Sequence, residues 1–183
     1  MKASSDQSLS SLGGGTSRAA QGGFTLVELM IVVVITAILI VIAAPSYSEL
    51  ILSNKLKTYA NEIVTSVYLA RGEAIKRNSI MTMCASANGI SCIGSGDWDQ
   101  GWIVLDPNST VIKRMPELAG GFVLTDTLAS AHTMIFQPSG VSGTQASFTA
   151  CRKTPTVGGQ KRVITVSATG KPSVARSGAS TCP

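Results

Sequence analysis

Hydrophobic positions change their spacing along this chain, and each change predicts an element. From Phe24 to Ala44 the 21 residues are predominantly apolar, with Glu28 the only ionisable one among them. About 20 apolar residues at about 1.5 Å each cross the hydrocarbon core of a bilayer, so this run predicts a membrane helix. Pro45 interrupts the run, yet the pattern beyond it stays helical. Leu56, Tyr59, Ile63, Val67, Ala70 and Ala74 recur at intervals of three and four, with Lys55, Lys57, Asn61, Glu62, Arg71 and Lys76 mainly off that stripe. Such an amphipathic helix needs a sheet to cover its apolar face. One continuous helix is predicted from about Phe24 to Asn78, kinked at Pro45 where an i-to-i−4 bond is lost.

After Asn78 the period falls to two, or to short apolar bursts. The spacing predicts strands at Ile80–Ser86, Gly101–Leu105, Val111–Met115, Phe122–Thr125, Thr133–Phe136, Ser147–Arg152 and Arg162–Ser167. Turn signals separate them: Asn88-Gly89, Asp106-Pro107-Asn108, Ala119-Gly120-Gly121, Gln137-Pro138-Ser139-Gly140, Val157-Gly158-Gly159 and Thr169-Gly170. Short strands following one long helix predict an α+β fold, with a sandwich-like β-rich domain folded over the helix. The expected organisation is a leader at 1–23, a membrane or filament-core helix at 24–45, an amphipathic half at 46–78 and a globular domain at 79–183.

Composition refines this. Only 14% of residues are charged and 18 are glycine, which suits a turn-rich β domain outside the cytoplasm. Ser4 to Ser17 is rich in serine and glycine, includes Gly13-Gly14-Gly15, and is predicted to be disordered. Lys2 and Arg18 against Asp6 leave the leader at +1, which favours a cytoplasmic N-terminus. An ordinary secretory signal fits poorly. Its cut after Ala43-Ala44 would have Ile42 at the third position back and Pro45 next.

The junction Gly22-Gly23-Phe24-Thr25-Leu26-Val27-Glu28-Leu29-Met30 resembles the processing site of type IV pilins and type II secretion pseudopilins. The resemblance implies cleavage by a prepilin peptidase between Gly23 and Phe24, and N-methylation of the new terminus at Phe24. A carboxylate within a membrane helix costs about 2.5–3.5 kcal/mol at the bilayer centre, so Glu28 calls for a partner. A neighbouring subunit's N-terminal ammonium at the same depth would pair with it and set the axial register of a filament. The bland alternative is that Glu28 snorkels toward the headgroups.

Two further segments narrow the resemblance to the GspH/FimT branch. Tyr68-Leu69-Ala70-Arg71-Gly72-Glu73-Ala74-Ile75-Lys76-Arg77 is similar to its Ala-Arg-x-Glu-Ala-x-Lys-Arg segment, and Trp98-Asp99-Gln100-Gly101-Trp102-Ile103-Val104-Leu105-Asp106 to its tryptophan signature. Phe136, Pro138, Gly140 and the late Cys151 also match. The implied function is that of a minor pilin or pseudopilin in the tip or initiation complex of a type IV pilus or type II secretion pseudopilus. Implied partners are the prepilin peptidase, other major and minor pilins or pseudopilins, and the inner membrane. The C-terminal domain would face the periplasm before assembly.

Four cysteines outside the cytoplasm are expected to be oxidised. Of the three connectivities, spacing favours Cys84–Cys92, closed by a hairpin at Asn88-Gly89, and Cys151–Cys182, which ties back the tail. Their spacings match no common zinc motif. His132 is the single histidine and flanks a predicted strand. Asp97, Asp99, Asp106, Glu117 and Asp126 sit mostly in or beside turns, where turn chemistry accounts for them better than acid–base catalysis or calcium. Gly158-Gly159 lacks the strand–turn–helix context of a phosphate loop. No enzyme, cofactor or metal site is predicted.

Charge is uneven. No acidic residue follows Asp126, whereas Arg152, Lys153, Lys161, Arg162, Lys171 and Arg176 all do. Six uncompensated positive charges in the last 57 residues form either a solvated basic face or a polyanion site. FimT-type members involved in DNA uptake carry a Gly-Arg-x-Arg element near the C-terminus, and the corresponding place here reads Gly170-Lys171-Pro172-Ser173, with Arg176 three residues later. The alternative function implied is a pilus-borne DNA receptor, with Lys171 and Arg176 at its centre.

Overall fold

The computed structural model describes residues 23–128, 132–154, 161–178 and Cys182, so the leader before Gly23 and the turn at Val157-Gly158-Gly159 lie outside the described residues. Two compact units divide the chain, one ending at Ile42 and the other running from Ala43 to Pro183. Helix α1, Leu26–Arg77, contributes to both and runs without a break at Pro45. In the first unit the side chains of Leu26, Ile31, Ile35, Leu39 and Ile42 are all exposed, as are their neighbours. A helix apolar on every side is built for lipid or for other helices.

In the second unit the predicted stripe is buried: Leu56, Ile63, Val67, Ala70 and Ala74, joined by Ala60. Tyr59 is half-buried because its hydroxyl is needed at the surface, where it accepts the backbone N–H of Ala119 at 3.1 Å. Eight strands follow: β1 (Met81–Ala85), β2 (Trp102–Leu105), β3 (Val111–Met115), β4 (Phe122–Asp126), β5 (Thr133–Phe136), β6 (Ala146–Arg152), β7 (Lys161–Val166) and β8 (Pro172–Ser177). They form two antiparallel four-stranded sheets, β3-β2-β1-β5 and β4-β6-β7-β8. A short 3-10 turn, Trp98–Gln100, leads into β2.

One core joins the helix stripe to both sheets, through Met81, Met83, Trp98, Trp102, Phe136, Phe148 and Ile164 among others. Trp98 stands edge-on to Phe148 at 4.8 Å, and Tyr59 edge-on to Phe122 at 5.1 Å. Polar ties fix the helix to the first sheet. Trp102 donates its indole N–H to Ser66 Oγ at 2.9 Å, Ser66 in turn donates to the Glu62 carbonyl at 2.7 Å, and Lys113 pairs with Glu62 at 2.8 Å. At the far end, Gly140 and Gly170 both have positive φ, and a Cβ on Gly170 would come within 2.5 Å of the Gly140 carbonyl. Only glycine lets those two turns stack on each other and on Arg71 and Ile75 of the helix.

Two expectations need correction. No β-hairpin forms at Asn88-Gly89, because β1 is already paired on both edges, with β2 and with β5. The segment is instead a loop in which Asn88 Oδ1 accepts the N–H groups of Ile90 and Ser91 and Ser86 Oγ accepts that of Gly89. The second correction is β8, which the pattern did not predict. It is an edge strand that opens on proline and leaves Ser173, Val174, Ala175 and Arg176 exposed, so it shows no apolar alternation.

Candidate functional site

At the N-terminal end, Gly23, Phe24 and Thr25 precede α1. Thr25 Oγ1 accepts the backbone N–H of Glu28 at 3.2 Å, and the Thr25 carbonyl accepts that of Leu29 at 3.1 Å. Thr25 is therefore the N-cap and Glu28 the third residue of the first turn, the spacing of a capping box. The exposed Glu28 carboxylate lies where the helix dipole favours negative charge. The Thr-x-x-Glu spacing at 25–28 was the sequence signal for this cap.

The basic residues fall into distinct settings rather than one patch. Pairing registers place Phe122 opposite Arg152, Ala150 opposite Arg162, and Arg162 opposite Arg176. Since alternate residues share a face, Arg152, Arg162 and Arg176 occupy the same face of three successive strands, that of the buried Phe148, Ala150 and Ile164. Arg152 lies over the Phe122 ring at 4.4 Å and donates to the Gly120 carbonyl at 3.1 Å. Arg162 is 4% exposed, and its Nη1 has no hydrogen-bond partner. Burial, with the neighbouring Arg176 charge adding to it, pulls the Arg162 pKa down. Arg176 is exposed.

Lys171 and Arg176 stand at opposite ends of β8, five residues or roughly 16 Å apart along an extended strand. Lys171 belongs with the Gly170 turn, Lys161 takes the opposite face from Arg162 and pairs in register with Ser177, and Lys153 is exposed beyond the end of β6. The structure thus brings Arg162 opposite Arg176, holds Arg152 on the same face but over Phe122 of β4, and leaves the three lysines apart. The burial of Arg162 was legible in the alternation Arg162, Ile164, Val166, which puts the arginine on the core face.

Cys84 is joined to Cys92, Cα atoms 5.6 Å apart, and Cys151 to Cys182 at 5.7 Å. The second bond fastens Cys182, five residues past the end of β8, to β6, two strands away from β8 in the sheet. His132 Nδ1 lies 2.6 Å from Asp126 Oδ2, and Asp126 also accepts the Leu128 N–H, so this pair closes the connection between β4 and β5. Asp97, Asp99, Gln100, Glu117 and Phe122 line an open cleft of about 420 Å³. Burial first, and the adjacent Asp97 second, push the Asp99 carboxyl above its ordinary range. Among the described residues no group of three His, Cys, Asp or Glu side chains is placed to hold a metal ion.

The family model described as type II transport protein GspH matches residues 59–170, and that of the prokaryotic N-terminal methylation motif matches residues 18–44. The chain belongs to the GspH family. The GspH match covers the amphipathic half of α1 from Tyr59, both sheets through β7 and the Gly170 turn, while the methylation motif brackets Gly23, Phe24 and Glu28. No curated protein matches. Among solved structures, this GspH-family chain is similar to the type IV minor pilin FimU of Pseudomonas aeruginosa, at 19% identity and a TM-score of 0.52, covering 69% of this chain and 96% of that one. It is also similar to the minor pseudopilin EpsH from the type II secretion system of Vibrio cholerae, at 12% identity and a TM-score of 0.50, covering 69% and 99%. At these identities the likeness is one of fold: a long N-terminal helix packed on an antiparallel β domain. The N-methylation motif and the apolar start of α1 are those of a membrane-anchored subunit of a pilus or pseudopilus.

Proposed function

We propose that this chain is a non-enzymatic minor pilin or pseudopilin that joins the tip or initiation complex of its filament. The observation that carries this reading is the junction at Gly23-Phe24, placed directly before the Thr25 cap of a helix whose first turns are exposed and, Glu28 apart, apolar. Prepilin peptidase cuts between Gly23 and Phe24 and the new terminus is N-methylated. Residues 24–45 anchor the subunit in the inner membrane, and residues 46–183 face the periplasm until assembly. Glu28 then meets the Phe24 ammonium of a neighbouring subunit and sets its axial register.

N-terminal mass analysis of the membrane-extracted protein tests the cut. A methylated phenylalanine terminus is expected, and a terminus after Ala44 would overturn the reading. Glu28→Ala should leave insertion intact and impair recovery in sheared filaments, and equal recovery of variant and wild type would reject the register role. The same truncation removes the first-turn carboxylate of α1, so Glu28→Gln, which keeps the helix and cap spacing, serves as the control.

A second reading, a pilus-borne DNA receptor, is supported by the acid-free sequence after Asp126 and by the three arginines on one face of β6, β7 and β8. Salt-sensitive binding of duplex DNA by the whole protein would support it, and no binding at low salt would remove it.

A further inference from the structure

The second sheet ends at β8 in open hydrogen-bonding groups. β8 pairs with β7 on one side, and no described strand lies on its other side. The Ser167 N–H donates to the Lys171 carbonyl at 3.0 Å, which sets the alternation along the hairpin. Ser173 and Ala175 turn their backbone groups toward β7, whereas Pro172, Val174 and Arg176 turn theirs outward. Proline has no N–H to leave unpaired at the first of those outward positions. Val174 and Arg176 present two N–H groups and two carbonyls. Their side chains lie on the core face, opposite the buried Ile164 and Arg162, yet Val174 is 46% exposed and Arg176 is exposed. β8 thus projects past the core.

Charge selects what can lie beside it. Arg162 is 4% exposed, its Nη1 has no hydrogen-bond partner, and Arg176 directly opposite adds a like charge. A buried charge ordinarily comes with a counter-charge. β6, β7 and β8 contain no acidic residue, and among the described residues neither arginine forms an ion pair. A second copy of this chain does not supply what is missing. Its edge strands are β3, which carries Lys113 and Arg114, the uncharged β5, β4, and β8 itself. Asp126 of β4 is the one carboxylate among them, and it is buried, paired with His132 and bonded to the Leu128 N–H.

Resting on the filament-subunit reading above, we propose that β8 is a docking edge, extended by a β-strand of a different pilin or pseudopilin subunit that carries an Asp or Glu opposite Arg176. The incoming strand lies about 4.8 Å from β8, bonds to the backbone of Val174 and Arg176, and covers the Val174 side chain. Its carboxylate accepts from the Arg176 guanidinium and offsets the Arg162 charge behind it. A strand without that acid meets two unbalanced arginines, so the pairing is selective.

The test uses the full chain in cells that assemble the filament, with a photoreactive residue in place of the exposed Ala175. Cross-links should map to an acid-bearing strand of another subunit that has its own N-terminal methylation motif. Mapping to a helix, to an acid-free segment or to a second copy of this chain would overturn the proposal. Val174→Pro removes an outward N–H without breaking a bond to β7, and should cut recovery in sheared filaments about fivefold or more. Val174→Thr keeps that N–H and should stay within about twofold of wild type. Equal recovery of Val174→Pro and Val174→Thr would rule out strand addition. Arg176→Glu gives Arg162 a partner and repels the incoming carboxylate, so Tm should rise while recovery falls several-fold. A purely structural role would move both in the same direction. Wild-type recovery of Arg176→Glu rejects the acidic partner, and if that variant loses duplex DNA binding instead, the arginine pair is a phosphate site. Absence of the wild-type chain from sheared filaments would remove the filament reading itself, and the docking edge with it.

Discussion

Ser66 offers a sharp test of how the helix is tied to the sheet. Its hydroxyl is fully buried, donates to the Glu62 carbonyl and accepts the Trp102 indole N–H. Ser66→Ala leaves that N–H in the core with no acceptor, and an orphaned buried donor costs about 1–3 kcal/mol. Alanine's better helix propensity returns about 0.5 kcal/mol, so the net loss is about 0.5–2.5 kcal/mol. For a domain of roughly 140 residues, at about 4 °C per kcal/mol, Tm should fall by about 2–10 °C. Trp102→Phe removes the donor instead and leaves Ser66 still bonded to Glu62, at the cost of a small cavity. A double-mutant cycle read by thermal unfolding of the detergent-solubilised protein isolates the pair. Coupling near zero would show that the hydrogen bond contributes nothing to stability, and the account of the helix-to-sheet tie would be refuted.

Reducing the tail clasp should be costly as well: Cys151→Ser with Cys182→Ser opens a loop of 31 residues, worth about 3–4 kcal/mol in the chain-entropy model, measurable as a lower denaturant midpoint. Asp99→Asn should raise Tm at neutral pH, since burial lifts the folded carboxyl above its ordinary value of 3.8 and penalises the charged form. A raised folded pKa means stability is lost as pH climbs from 3.8 through that raised value, so the gap between Asp99→Asn and wild type should close as pH falls back through the same window. A gap that stays constant down to low pH would reject the burial account.

Much of this architecture was legible because burial imposes a period. The helix stripe from Leu56 to Ala74 and the strands Val111–Met115 and Thr133–Phe136 emerged where the pattern placed them. Legibility failed where another constraint replaced burial. β8 carries a proline and a charge on an open edge, so hydrogen bonding to β7 alone defines it. The loop after β1 misled because Asn-Gly signals a tight turn and says nothing of whether the neighbouring edge is free. The arginine face escaped for a different reason. Its members are 10 and 14 residues apart in sequence, and only the registers of β6 with β7 and of β7 with β8 align them.

The order in which the strands enter the two sheets governs how the domain comes apart. The chain crosses between sheets at β3–β4, again at β4–β5, and again at β5–β6, so β5 returns to lie beside β1 only after β4 has joined the other sheet. Neither sheet is a continuous stretch of chain, and both share the main core, beside which the first sheet has only a small cluster of Cys84, Ile103 and Leu105. Slow amide exchange in β1 and in β6 should therefore report the same opening event, with one free energy, rather than two foldons of different stability.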